Sequence, residues 1–381
     1  MPMLKNMKMT YCQIDNSKGD PCGRPCKKFT SIKISGDRKG RPYGKIILFA
    51  VLFCFVLSSC SGMAEQKELF FTMDTYAETL IITKEASLGK EANEKIKEIC
   101  SEIEGRISHT IKTSDIYKLN EKIDFDLSEE TAGLLELAEY MREHTNGAFN
   151  SMLGEIIDLW GINSQKASAE RKIPEADEIL SALEKVRNNE GNFDLGAIGK
   201  GYATDEISAY LAKAGIPNAL VSFGSSVLAA GKKTDGNLWN IGIKDPLDPE
   251  KICGVLNASD KVISVSGGYE RFITIDGVDY VHIIDPETGY PVDNDLICVV
   301  VVMDAQSAFH QKEQREKLKN NGAISDALST ALYVMGKNKA MSFYNASHLD
   351  FEMILFVRDD SPRGYEILWW NVMFTEIEYK G

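Results

Sequence analysis

Residues Asp194–Asp205 read DLGAIGKGYATD. Gly196, Gly199 and Gly201 interrupt a short apolar run, and Lys200 stands between two of them. Glycine lets a backbone approach another group closely, or adopt positive φ, with no Cβ in the way. A helical segment is predicted from about Tyr202 to Ala214, so the stretch leads from a strand through a glycine-rich turn into a helix. Amides at the start of such a helix carry partial positive charge and suit a phosphate, and Lys200 adds a full charge. The spacing is neither G-x-G-x-x-G nor G-x-x-x-x-G-K-[ST], so neither nucleotide-binding mechanism transfers on spacing. A plain turn and a phosphate cradle both fit the stretch taken alone, and its surroundings decide between them.

The 381 residues can form one large domain or two closely joined halves. The net charge of −13 is unevenly placed: residues 1–59 hold eleven Lys/Arg and three Asp/Glu, leaving 32 basic against 53 acidic residues in the rest. So acidic a body is a poor partner for nucleic acid or an anionic lipid surface. It would take an anionic ligand only at a locally basic or metal-neutralised spot. Lys45 precedes IILFAVLFCFVLSSC, an apolar run of signal-peptide length and too short for an ordinary membrane span. It ends in Leu57-Ser58-Ser59-Cys60, which resembles a bacterial lipobox with cleavage before Cys60 and diacylglycerol on its thiol. The expected organisation is a long n-region and lipoprotein signal peptide over 1–59, a lipid-anchored linker over 60–71, and a catalytic domain over 72–381. Of the mature body's cysteines, Cys100, Cys253 and Cys298 form no CxxC pair and read as buried thiols. The histidines are scattered, which favours a hard cation held by oxygens over zinc.

Apolar spacing predicts helices at about Lys90–Ser108, Glu129–Thr145, Ala148–Gly161, Pro174–Asn188 and Ala323–Met335. FFTMDTYAETLIIT, within Glu68–Thr83, reads as a strand pair or one bent strand. Further strands are expected at Leu220–Phe223, Asn240–Lys244, Val262–Val265, Phe272–Ile275, Val281–Ile284, Ile297–Val302, Phe351–Val357 and Glu366–Trp370. Strands and helices mix without regular βα alternation, so the fold class is α+β rather than doubly wound. Ala305–Gly322 is highly polar and reads as an inserted, exposed helix or loop. On the following helix Asp326 and Thr330 are four residues apart and share a face. A carboxylate and a hydroxyl so placed either cap the helix or jointly hold Mg²⁺, which takes few protein oxygens and completes its shell with water and phosphate.

DLGAIGKGYATD, SGGYERF, HIIDPETGYPV and SDALSTAL occur in this order between about Thr72 and Phe356. Together they resemble the flavin transferases of the ApbE type, the FAD:protein FMN transferases. The resemblance implies mixed sheets flanked by helices in a two-lobed single catalytic domain. It also implies Mg²⁺-dependent splitting of FAD, with FMN passing to a Thr or Ser hydroxyl of an extracytoplasmic acceptor protein, a redox flavoprotein subunit, while AMP leaves. Carried over by position, Asp326 and Thr330 are side-chain ligands of Mg²⁺ and Ala197 a carbonyl ligand. Met73, Ala148, Phe149, Asn150, Asp194 and Lys200 are FAD contacts. His282 matches the histidine of the H-x-x-D-P-x-T-G motif, and it or Asp285 is the expected proton acceptor. Thr110 falls where the family often has an aromatic flavin contact, Asn150 where it often has Asp, and Gly224-Ser225-Ser226 where it has a GG(D/N) motif. The lipid anchor implies the extracytoplasmic face of a bacterial membrane. The competing readings are an Mg²⁺-dependent FAD pyrophosphatase in the same site and a lipoprotein that binds flavin or another solute without reacting.

Overall fold

The computed structural model describes residues 62–163, 171–269, 272–305 and 320–377. Cys60 and the signal segment before it lie outside these residues, as do 306–319 of the expected insertion and Glu270 and Arg271 of the second motif. An eight-stranded sheet runs through the body. It contains β1 (Ala64–Thr72), β2 (Thr75–Thr83), β3 (Asn218–Ser222), β4 (Ser226–Ala230), β7 (Lys261–Gly267), β10 (Leu296–Asp304), β11 (Glu352–Arg358) and β12 (Tyr365–Trp370), in that spatial order. Every neighbouring pair is antiparallel. A smaller sheet of β5 (Trp239–Lys244), β6 (Ile252–Ala258) and β13 (Phe374–Glu376) covers one face, and β8 (Phe272–Ile275) pairs with β9 (Val278–Val281) as a separate hairpin. The α+β expectation holds.

Strand β10, LICVVVVMD, is buried along nearly its whole length because both sheet faces are covered. Its Val299, Val301 and Met303 belong to the core shared with the helices, whereas Cys298, Val300 and Val302 belong to the core beneath the small sheet. The helical layer contains α1 (Ala86–Ile107), α2 (Asp115–Asn120), α3 (Glu129–His144), α6 (Gly199–Lys213) and α7 (Asn321–Ala346). Helix α1 buries Ala92, Ile96, Cys100, Ile103 and Ile107, spacings that keep one stripe facing the sheet. Helix α3 starts at Ser128, whose hydroxyl accepts from the Thr131 N–H while donating to Asp115 at 2.5 Å. The three cysteines are free and buried, as expected.

A third core lies apart from these two. Helices α4 (Gly154–Trp160) and α5 (Ala176–Arg187) pack with the β8–β9 hairpin around Ile156, Trp160, Ile179, Leu183, Ile273 and Ile275. Only Gly154–Trp160 of the segment expected as a helix over Ala148–Gly161 is helical. Upstream, Asn150 Oδ1 accepts from the Met152 N–H, and the Gly154 N–H donates to the Asn192 carbonyl, so the backbone finds its partners outside a helix. The strand expected at Val281–Ile284 ends at Val281, with Ile284 making an isolated bridge to Pro291. Helix α7 continues beyond Met335 through a kink at Gly336, where φ is +71°.

Candidate functional site

A cavity of about 270 Å³ opens where the third core meets the main body. Leu153, Ile157 and Ile162 line one side, and Met73, Phe223 and Val265 the other. Met73 and Asp74 form the two-residue turn between β1 and β2, Thr72 being paired with Thr75. Both turn residues have positive φ, +48° and +57°, as a type I′ turn requires. The Thr75 hydroxyl donates to the Phe223 carbonyl, tying the hairpin end to the end of β3.

The glycine-rich stretch supplies Asp194, Gly196, Ala197 and Lys200 to the same cavity. Both Asp194 carboxylate oxygens are engaged by the chain: Oδ1 by the Gly196 N–H at 2.7 Å and Oδ2 by Asn163 Nδ2 at 3.1 Å. His109 Nδ1 lies 3.4 Å from that second oxygen. The later glycines serve packing rather than a cradle of amides. A Cβ on Gly201 would stand 2.1 Å from the Gly322 carbonyl oxygen, and one on Gly322 would stand 2.2 Å from Thr204 Oγ1. Helices α6 and α7 therefore cross backbone to backbone. The last residue of the stretch, Asp205, accepts the Gly322 and Ala323 N–H groups, each at 2.8 Å, and so caps the start of α7.

That crossing sets the position of Asp326. The Gly201 N–H donates to its Oδ2 at 2.9 Å and the Ser226 hydroxyl to its Oδ1 at 3.4 Å. Burial pushes its carboxyl above the usual carboxylate range, against the opposing pull of the Lys200 charge. Thr330 lies one turn along the same helix and lines the cavity, its Oγ1 3.3 Å from the Ser266 hydroxyl. Behind them Ser264 pairs with Ser325 at 2.8 Å and Ser266 with Ser329 at 2.7 Å. Two residues along a strand and four along a helix both advance roughly 6 to 7 Å, so the two serine pairs hold α7 in register on β7.

Ala148, Phe149, Asn150 and His282 also line the cavity, completing the expected set apart from Asp285. Asp285 lines an adjoining cavity instead, where its Oδ1 accepts from the Glu287 N–H within its own turn. Thr110 is exposed, is bonded to Ser108 and does not line the cavity. The sequence reading missed Asn163, Phe223 and Ser266 as lining residues. Ser266 carried a signal in the match between its spacing from Ser264 and that of Ser329 from Ser325, whereas Asn163 sits in a loop with no periodic pattern.

The profile of the ApbE family matches residues 73–355. The chain belongs to the ApbE family. It is 28% identical over 333 residues to the FAD:protein FMN transferase of Vibrio cholerae, covering 82% of this chain and 94% of that one. With the Escherichia coli K12 protein of the same name it shares 26% over 305 residues, 74% and 82% of the two chains. Among solved structures, the flavin transferase ApbE from V. cholerae superposes with a TM-score of 0.67 at 24% identity, covering 81% of this chain and 98% of that one. The ApbE protein of Thermotoga maritima gives 0.67 at 27% identity, covering 80% and 96%. All four motifs that carried the resemblance fall within the matched span of this ApbE-family chain.

Proposed function

We propose that this chain transfers FMN from FAD to a Thr or Ser hydroxyl of an acceptor protein and releases AMP. The observation that carries the reading is the convergence of Asp326, Thr330, Ala197, Lys200 and His282 on one cavity, in a family whose similar members are named FAD:protein FMN transferases. The donor set fits Mg²⁺. Asp326, Thr330 and the Ala197 carbonyl offer only hard oxygens, and among the described residues no group of three or more His, Cys, Asp or Glu is placed to hold a metal ion. A single carboxylate with neutral oxygens suits an ion that keeps waters and binds substrate phosphate. Bound there, Mg²⁺ would neutralise charge on the pyrophosphate as it is cleaved.

The chain's own groups take the remaining roles. Lys200 offers its ammonium to the phosphates. His282 takes the hydroxyl proton as the acceptor oxygen bonds to the FMN phosphorus and the bridging P–O bond to the AMP half breaks. Asp194, held by Gly196 and Asn163, presents a fixed carboxylate to the nucleotide, while Leu153, Ile157 and Phe223 offer an apolar wall to the flavin. Incubating the full chain with FAD, Mg²⁺ and a co-expressed acceptor tests the reading by mass. FMN on the acceptor supports transfer, free FMN and AMP with no labelled acceptor indicates a pyrophosphatase, and intact FAD indicates a binder. The lipobox-like Cys60 supports a lipid-anchored, extracytoplasmic location, and Cys60→Ala is expected to lose membrane association in cell fractionation.

A further inference from the structure

The two serine pairs between β7 and α7 share their spacing but not their surroundings. Ser325 donates its hydroxyl to the Gly322 carbonyl and Ser329 donates its own to the Asp326 carbonyl, each at 2.9 Å. A carbonyl only accepts, so each helix serine has its single hydrogen engaged and receives one from its strand partner. Ser264 thus donates to Ser325, and the row of hydroxyls ends with that pair. At the other pair it continues one step further, because Ser266 also lies 3.3 Å from Thr330 Oγ1.

Three contacts therefore join Thr330, Ser266, Ser329 and the Asp326 carbonyl, and only one direction of the hydrogens uses all of them. Thr330 donates to Ser266, Ser266 to Ser329, and Ser329 to the carbonyl. The reverse direction leaves the carbonyl contact unmade and turns the Thr330 hydrogen toward the cavity. Ser266 and Ser329 are buried, so bulk water does not replace a lost bond. The favoured direction sends the Thr330 hydrogen back into the protein and leaves its oxygen lone pairs available to the cavity it lines. Lone pairs there suit a cation, whereas a hydroxyl hydrogen would suit an anion. Ser329 itself does not line the cavity.

We propose that Ser266 and Ser329 are positioning residues that fix the Thr330 hydroxyl as an acceptor toward the cation. The proposal rests on the Mg²⁺ reading above. The test follows the melting temperature of the full chain with ADP and increasing Mg²⁺, since ADP carries a pyrophosphate but no FMN to transfer. Ser266→Ala and Ser329→Ala are each expected to need about tenfold more Mg²⁺ for the half-maximal rise. High Mg²⁺ is expected to restore most of their FAD consumption. Ser264→Ala removes the equivalent contact between strand and helix without freeing Thr330, and it is expected to keep the Mg²⁺ dependence of wild type. In a Thr330→Ala background, Ser266→Ala is expected to weaken Mg²⁺ no further, because its effect passes through that hydroxyl. Equal weakening by Ser264→Ala and Ser266→Ala, an additive effect on Thr330→Ala, or wild-type behaviour of Ser329→Ala overturns the positioning role. Absence of any Mg²⁺-dependent rise in wild type instead overturns the metal site itself, and this role with it.

Discussion

Asp326 is held on two sides before any ligand arrives, by the Gly201 N–H and the Ser226 hydroxyl. Replacing it by alanine would leave both donors without their acceptor, at a cost of about 1–3 kcal/mol for a buried group. Asp326→Asn is the cleaner probe, because an amide oxygen still accepts from Gly201 while the negative charge is gone. It is expected to melt close to wild type and to lose Mg²⁺-dependent FAD consumption by about a hundredfold or more, read by chromatography of FMN and AMP. Activity near wild type would remove Asp326 from the metal site. The pairing of Asp326 with Thr330 was legible because four residues along a helix fix two side chains on one face whatever the tertiary context. Asp285 left two readings open, a turn-holding carboxylate and a proton acceptor, for the converse reason. Its motif placed it three residues from His282, but the chain turns there, and local backbone groups engage its carboxylate.

The junction of α6 and α7 turns a composition signal into a packing constraint. The glycines of DLGAIGKGYATD first suggested a phosphate cradle, but Gly201 is needed because the α7 backbone occupies the space a side chain would take. Gly201→Ala is therefore expected to destabilise by about 1–3 kcal/mol or more through overpacking. Gly133 is exposed within α3, and a methyl group added there would meet nothing within 4 Å. Gly133→Ala is expected to gain about 0.5–1 kcal/mol from helix propensity. Urea unfolding of the two variants checks both signs, and equal behaviour would contradict the close crossing. Long amphipathic helices such as α1 were readable from their stripe. Strands β4, β6 and β13 were not: β4 and β13 are only five and three residues long, and β6 carries Gly254 and Asn257, so each gains strand character from the neighbours it pairs with.

For the whole molecule, both faces of the main sheet are covered, and a separately cored lobe leaves the cavity at its seam with the body. The resemblance supplied that two-lobed outline in advance. Periodicity alone did not, since it reports which face of an element is apolar but not which core receives it. The buried carboxyl of Asp205 feeds into global stability. Burial raises it from 3.8 to about 8, while the Ala323 and Gly322 amides pull it back down. The native state thus keeps a proton that the unfolded chain releases above about pH 4. The sign follows: its contribution is fully present below the unfolded value and is lost as pH rises toward about 8. Melting temperature is expected to fall across that window in wild type and to fall less steeply in Asp205→Asn. Parallel curves for the two proteins would remove Asp205 as the source.

The hairpin turn at Met73–Asp74 sets folding and ligand binding against each other. Both residues occupy a backbone region that suits asparagine and glycine far better, yet both side chains line the cavity. An Asn-Gly pair would close the hairpin more readily and leave the nucleotide without a thioether or a carboxylate at that edge. Selection of variants for heat resistance alone would therefore be drawn toward this turn and would erode the cavity wall there. Improving this chain as a catalyst and improving it as a stable object are separate searches at these two positions.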